Sequence, residues 1–105
     1  MLFRSVKYDG NGNVLWAISP SASSNGSSVT TDASGNVYVT GYFTSPTITF
    51  GTTTLTNNPG NYDIFIVKYD AGGNVIWLKG AGGTSFDFGH SVSTDTEGNV
   101  FLTGV

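Results

Sequence analysis

An internal repeat constrains the fold of this chain more than any other feature of its sequence. Val6-Lys7-Tyr8-Asp9 returns 61 positions later as Val67-Lys68-Tyr69-Asp70. Further along, the offset grows to 63, and Gly35-Asn36-Val37 returns as Gly98-Asn99-Val100. The chain therefore holds roughly 1.7 units of about sixty residues, a pattern typical of folds in which similar supersecondary units stack on one another.

Each repeat unit contains the pattern Asp-x-x-Gly-Asn twice. An Asp side chain can accept hydrogen bonds from backbone amides that follow it, and Gly supplies the positive φ that a three-residue hairpin loop with a bulge requires. Short clusters of β-branched and aromatic residues flank these patterns, and no segment has helical periodicity over ten residues. The sequence therefore predicts an all-β chain of antiparallel hairpins. The four predicted turns begin at Asp9, Asp32, Asp70 and Asp95.

The predicted strands differ in how apolar they are. Ile64-Phe65-Ile66-Val67 and Val75-Ile76-Trp77-Leu78 are apolar on both faces, as in a sheet packed between two others. The strand around Val29 has small side chains, about half of them polar. A propeller blade explains both, because its inner strands have little room beside the axis while its outer strands fill wide gaps between blades. We therefore predict β-propeller blades of four antiparallel strands, termed A to D, at residues 29–32, 36–43, 63–70 and 74–81.

The predicted strands make one propeller segment over residues 1–105. It consists of a half blade at 2–18, a full blade at 27–81 with an inserted hairpin at 44–61, and a half blade at 90–105. Isolated propeller repeats cannot bury their faces, and unpaired strand edges invite association. We therefore expect a ring completed by oligomerisation of the chain with itself, favouring a six-bladed trimer over a dimer or tetramer. The alternative is a fragment of a larger propeller protein.

The residues also resemble a known family. The run from Asp63 to Trp77, then Gly82-Gly83, then the run from Asp95 to Gly104, is similar to the bacterial SBBP repeat, the seven-bladed β-propeller repeat family. The resemblance covers nearly the whole chain. It implies a propeller fold and a large secreted or surface-associated bacterial protein, but no activity, since the shared residues are turn and packing residues. A ring with two blades from each chain would depart from the seven blades of the family.

Composition excludes several classes of function. Only four residues are basic against seven acidic ones, and the basic residues are scattered singly, so we expect no nucleic-acid partner. No apolar run approaches the roughly 18 residues that span a bilayer, and residues 1–5 lack the apolar core of a signal peptide. We expect a soluble chain without a membrane partner. The absence of cysteine removes disulfides and thiolate metal sites but leaves the compartment open.

Residues that could carry chemistry are few, and we predict no catalytic residue, no metal site and no cofactor. The turn at Asp9 partly imitates a calcium loop, but no bidentate Glu follows at the required spacing. His90 is the only histidine. With Asp87 or Asp95 it could support a catalytic triad, but no nucleophile elbow surrounds any Ser. We therefore expect a non-enzymatic protein.

Aromatic residues beside polar loops offer a second kind of site. Trp16 and Trp77 are better explained by core packing than by sugar stacking. Tyr42 and Tyr62, near the ends of the inserted hairpin, are the better candidates for exposed aromatics. His90 and Asp87 are further ligand candidates near the rim or the channel mouth. The leading prediction is a self-assembling module with a binding or scaffold role, and the alternative is a lectin-like ring in which repeated weak glycan sites gain avidity.

Overall fold

The computed structural model describes residues 5–18, 24–56, 63–81 and 89–104. Every regular element in these ranges is a β-strand, which confirms the all-β prediction. The described residues contain no helix that is long and apolar enough to cross a membrane. The strands are β1 Ser5–Tyr8, β2 Val14–Ile18, β3 Ser24–Thr31, β4 Val37–Phe43, β5 Thr47–Phe50, β6 Thr53–Thr56, β7 Asp63–Tyr69, β8 Val75–Ala81, β9 Gly89–Thr94 and β10 Val100–Gly104.

Four of these strands form one antiparallel sheet in the order β3-β4-β7-β8, here termed the central blade. Its strands follow one another along the chain except for the hairpin β5-β6, which is inserted between β4 and β7. Two further hairpins, β1-β2 and β9-β10, form two-stranded sheets of their own. A four-stranded meander flanked by sheets of the same kind is the arrangement of a β-propeller.

Alternate residues of β4 and β7 point to opposite faces of the central blade and build two separate cores. The first face, marked by Val39, Val67 and Tyr69, packs against Trp16 and other residues of β2 and of the inserted hairpin. The second face, marked by Tyr38 and Ile66, packs against Val92 of β9 and against residues of β10. The hairpins β1-β2 and β9-β10 therefore lie on opposite sides of the central blade.

The inserted hairpin seals the outer part of the first face. Ile48 and Phe50 are both fully buried. The ring of Phe50 lies 5.2 Å from the ring of Phe65 and 6.3 Å from that of Tyr69. Full burial of side chains of this size contributes about 1.5–3 kcal/mol each. The insert is therefore part of the hydrophobic core of the blade.

All four Asp-x-x-Gly-Asn segments close hairpins in the same way, which confirms the predicted turns. In the first, the amide of Asp9 donates to the carbonyl of Asn13 at 2.8 Å, and the amide of Gly12 donates to the carbonyl of Asp9 at 3.1 Å. The Asp9 carboxylate also accepts from the amides of Asn11 and Asn13. Gly12 has a φ of 86°, which strains any residue with a β-carbon.

The innermost strand is longer than predicted. β3 begins at Ser24 rather than at Val29, and its pairing with β4 runs from Ser24 opposite Phe43 to Thr31 opposite Val37. The pairing is irregular between Gly26 and Ser28. Residues 24–28 carry no apolar alternation, so only their hydrogen bonding to β4 makes them a strand. Of the residues in the resemblance, Gly82-Gly83 lie outside the described residues.

Candidate functional site

An open groove lies on the first face of the central blade beside β1. Its main lobe has a volume of about 460 Å³, and a second lobe of about 390 Å³ shares its lining. Val29 and Val37 of the central blade and Val6 and Trp16 of the β1-β2 hairpin line both lobes. The groove is therefore an apolar space between the inner half of the central blade and the first hairpin.

The repeat provides an internal comparison for the apolar residues of this groove. Val29 is 63% exposed, whereas Val92, its counterpart 63 positions later, is only 5% exposed. Val6 is 37% exposed, whereas its counterpart Val67 is fully buried. These pairs have the same residue type in equivalent strands. Their different exposure therefore comes from the presence or absence of neighbouring strands.

Aromatic residues give the same comparison at the tips of the hairpins. Tyr8 is 59% exposed, and its counterpart Tyr69 is fully buried. Phe101 is 56% exposed, and its counterpart Tyr38 is 1% exposed. Large apolar surfaces that a repeat buries in one unit and exposes in another mark an interaction surface.

Strand pairing explains these differences. In the central blade, β7 pairs with β4 on one side and with β8 on the other. Its counterpart β1 pairs, among the described residues, with β2 alone. Likewise β4 pairs with β3 and β7, whereas its counterpart β10 pairs in the described ranges with β9 alone. Thus β1 and β10 each lack, in the described part, the second neighbouring strand that β7 and β4 have in the central blade.

Contacts between the first hairpin and the central blade show how two outer half blades pack. Trp16 Nε1 donates to the carbonyl of Ala71 at 3.2 Å, and Lys7 Nζ donates to the same carbonyl at 3.1 Å. The Trp16 ring lies 5.4 Å from the ring of Tyr69. A β-carbon built on Gly73 would lie 2.8 Å from Cγ of Trp16. Glycine at this position therefore allows the indole to rest directly on the turn backbone.

Contacts between the inner strands hold the second hairpin. Thr94 Oγ1 donates to the carbonyl of Thr31 at 2.9 Å, and the amide of Val92 donates to Ser28 Oγ at 3.4 Å. β9 therefore packs along β3. The small side chains of these strands let the two sheets approach closely beside the expected axis.

The carboxylates of Asp9, Asp32, Asp70 and Asp95 stabilise their turns. Hydrogen bonds from Asn36, and then from the hydroxyl of Tyr38, lower the pKa of Asp32 to about 2. The hydroxyl of Tyr38 lies 2.8 Å from Asp32 Oδ2. At the other three turns the Asn that closes the turn is likewise the main cause that lowers the Asp pKa. Within the described ranges, no three His, Asp or Glu residues are grouped closely enough to hold a metal ion.

The predicted ligand residues lie away from this groove or outside the described residues. Tyr42 is half-buried in β4, opposite Asn25 of β3 and Ile64 of β7. His90 belongs to β9. Tyr62 and Asp87 lie outside the described residues. The ligand set drawn from the sequence therefore stays a prediction.

Sequence reasoning missed the groove itself. The sequence predicts strands for the apolar residues that line it, but periodicity gives no information about which strand faces lack a neighbour. The repeat contains a usable signal, because Val6 and Val29 correspond to Val67 and Val92, which are buried.

Comparisons with known proteins agree with this architecture. The family model described as SBBP, a β-propeller repeat, matches residues 18–42, which include all of β3, the turn at Asp32 and most of β4. The chain is thus similar to the SBBP β-propeller repeat over these residues. It is also similar to an uncharacterized WD repeat-containing protein, L264, of Acanthamoeba polyphaga mimivirus, with 33% identity over 106 residues. WD repeats are likewise propeller blades of four strands.

That comparison covers 94% of this chain but 8% of the mimiviral protein. The chain thus spans a small part of the length of the relative it matches. The SBBP repeat and the WD repeat resemblance both describe blades, so they establish the architecture and assign no chemistry to the groove.

Proposed function

We propose that this chain is a non-enzymatic β-propeller segment that associates head to tail with further copies of itself and thereby forms a scaffold for binding. The observation that carries the proposal is the contrast in exposure between counterpart residues, above all Tyr8 at 59% and Tyr69 at 0%. A second copy supplies the neighbours that the described strands of one chain lack. In a longer chain with further repeats, the same surfaces receive the adjoining repeats.

The pairing of β4 with β7 supports a specific register for this association. Tyr69 lies opposite Val37, Val67 opposite Val39, and Ile66 opposite Thr40. Transferred by the repeat offsets, this register pairs β1 of one chain with β10 of another. The resulting pairs are Tyr8 with Val100, Val6 with Leu102, and Ser5 with Thr103. The four strands β9-β10-β1-β2 then form a composite blade from two chains.

The groove has a defined occupant in this arrangement. The hairpin β9-β10 packs on the second face of the central blade, where Val92 is buried and β9 runs along β3. In the composite blade, β9-β10 of a neighbouring chain packs on the first face, over Val29 and Val37. Apolar burial there is favourable at about 25 cal/mol per Å². The groove is therefore the site at which one chain receives the next.

The contact joins two different surfaces, so it is heterologous and produces a closed ring only when the rotation between chains is correct. Each chain contributes two blades. Propellers contain about four to eight blades, so a dimer, a trimer or a tetramer closes, and we favour the trimer with six blades.

The absence of an enzymatic role is part of the same proposal. Asp9, Asp32, Asp70 and Asp95 are each hydrogen-bonded to their own turn, which supports a structural role for these carboxylates. Binding is then expected at the rims and channel that the ring creates.

The mass of the chain in solution tests the proposal. Sedimentation equilibrium across micromolar concentrations is expected to give an integral multiple of the chain mass of 11.0 kDa, with three chains favoured. Far-UV circular dichroism on the same samples checks that the protein is folded. A folded protein that remains monomeric at 100 μM would refute the proposal.

A further inference from the structure

The contact between the first hairpin and the central blade has a sequence counterpart, for which the described residues of one chain provide no acceptor turn. Lys7 and Trp16, which donate to the carbonyl of Ala71, correspond to Lys68 and Trp77 at the offset of 61. The counterpart of Ala71 is Gly10. The counterparts of Tyr69 and Gly73, which contact Trp16, are Tyr8 and Gly12.

We propose that Lys68 Nζ and Trp77 Nε1 of one chain both donate to the carbonyl of Gly10 in a second chain. The indole of Trp77 then rests on Gly12 and beside Tyr8 of that chain. This inference rests on the proposed association and identifies the residues that join the outer parts of two chains. The donor surface consists of Lys68 and Trp77 of one chain. The acceptor turn is the turn that contains Gly10 and Gly12 of the other chain.

The donor surface is already arranged on the second face of the central blade. The ring of Trp77 lies 6.1 Å from the ring of Tyr38, and Lys68 Nζ lies 5.3 Å from the centroid of that same ring. Both donors are half-buried, so their positions are restricted by packing. Because Lys68 and Trp77 lie opposite each other on β7 and β8, their polar atoms can converge on one acceptor. Lys7 and Trp16 are opposite in the same way.

The acceptor turn has the backbone that this contact requires. Gly12 has a φ of 86° and Gly73 a φ of 89°, so the two turns have the same local conformation. A β-carbon on Gly73 would lie 2.8 Å from Trp16, whereas one on Gly12 would meet no atom of the described residues within 4 Å. Gly10 is equally open. The first turn therefore offers the space that an indole fills at the second.

The occupant of this surface is a second copy of the chain, because the sequence of the first hairpin matches that of β7-β8 at the positions that matter. Val6-Lys7-Tyr8-Asp9 is identical to Val67-Lys68-Tyr69-Asp70. A turn of the same conformation follows each run. The contact made within the chain by Trp16 can therefore be made between chains by Trp77 without a change in either hairpin.

Two glycine variants test the inference with a matched control. Gly12→Ala and Gly98→Ala place a β-carbon at the same φ of 86°, and in the described part of the chain neither β-carbon would have a neighbour within 4 Å. Their backbone strain is therefore equivalent. A β-carbon built on Gly35, the counterpart of Gly98, would lie at an ordinary 3.7 Å from Cβ of Ala71. Gly98→Ala thus controls for strain at a position whose counterpart leaves room for a β-carbon beside the adjacent turn of the same blade.

We expect Gly12→Ala to weaken association at least about tenfold more than Gly98→Ala, measured as dissociation constants by sedimentation equilibrium. Trp77→Phe removes the indole N–H and should also weaken association about tenfold, a loss typical of one hydrogen bond with its packing. Wild-type association together with equal dissociation constants for the two glycine variants would overturn this inference alone. A monomeric wild-type chain would overturn the proposed function and this inference with it.

Discussion

Tyr8 and Tyr69 occupy the same position in successive repeat units, and replacing each by Ala separates folding from association. Tyr69 is fully buried between Trp16 and Phe50. Its loss leaves a cavity in the main core, and replacements of buried aromatics by Ala cost about 3–5 kcal/mol of unfolding free energy. Tyr8 is 59% exposed in the single chain, so Tyr8→Ala should lower the unfolding free energy by no more than about 1 kcal/mol.

The effect of Tyr8→Ala on association follows from the area that a second chain covers. A Tyr buries roughly 200 Å² when fully enclosed, and the 59% left exposed corresponds to on the order of 100 Å². At about 25 cal/mol per Å² this area contributes about 2.5 kcal/mol to each contact between chains. Ordering the side chain costs about 1 kcal/mol in opposition. The dissociation constant should therefore rise between about tenfold and sixtyfold.

Two measurements on each variant give the answer. Urea unfolding at low protein concentration reports the stability of the single chain. Sedimentation equilibrium reports the dissociation constant. We expect Tyr69→Ala mainly to lower the unfolding free energy, and Tyr8→Ala mainly to raise the dissociation constant. Unchanged association of Tyr8→Ala would mean that Tyr8 stays exposed in the oligomer, and the reasoning from counterpart residues would then be wrong.

Two further predictions concern the single chain. Because the pKa of Asp32 is lowered to about 2, its contribution to stability is complete above its ordinary pKa of 3.8 and is lost as the pH falls toward 2. Urea midpoints measured from pH 6 to pH 2 should therefore fall less steeply in Asp32→Asn than in the wild type, and parallel curves would contradict this. Phe50→Ala should lower the unfolding free energy by about 3–5 kcal/mol, because Phe50 is fully buried against Phe65; a loss below about 1 kcal/mol in denaturant titration would show that the inserted hairpin is not part of the core.

Features that depend on neighbours in sequence were predictable. The four turns are encoded within five residues each, because the Asp side chain, the positive φ of Gly and the Asn that follows act locally. The apolar strands β7 and β8 were also predicted, since residues with high β-propensity run through both. The all-β class and the propeller architecture followed from these local signals together with the repeat.

Features that depend on distant pairing were not predictable. β3 extends back to Ser24 because β4 supplies hydrogen-bonding partners, although its own residues give no strand signal. The shared acceptor at Ala71 joins residues 64 and 55 positions away, and no local pattern marks that carbonyl. The groove over Val29 and Val37 is likewise defined by which strands lie beside it.

The pairing of β1 with β10 between chains is the central claim, and cysteine cross-linking tests it most directly. The chain has no cysteine of its own, so an introduced pair reports a single contact. Ser5→Cys and Thr103→Cys are opposite in the expected register, where Cα atoms lie about 4.5–5.5 Å apart, within the range that a disulfide spans. Ser5→Cys with Phe101→Cys is two residues out of register, at about 7–8 Å.

Mild oxidation followed by non-reducing electrophoresis should give a ladder of covalent oligomers for the Ser5→Cys and Thr103→Cys pair. The ladder should end at the mass of the closed ring, and the out-of-register pair should remain largely monomeric. Monomers only from the first pair, or equal cross-linking of both pairs, would contradict the pairing of β1 with β10.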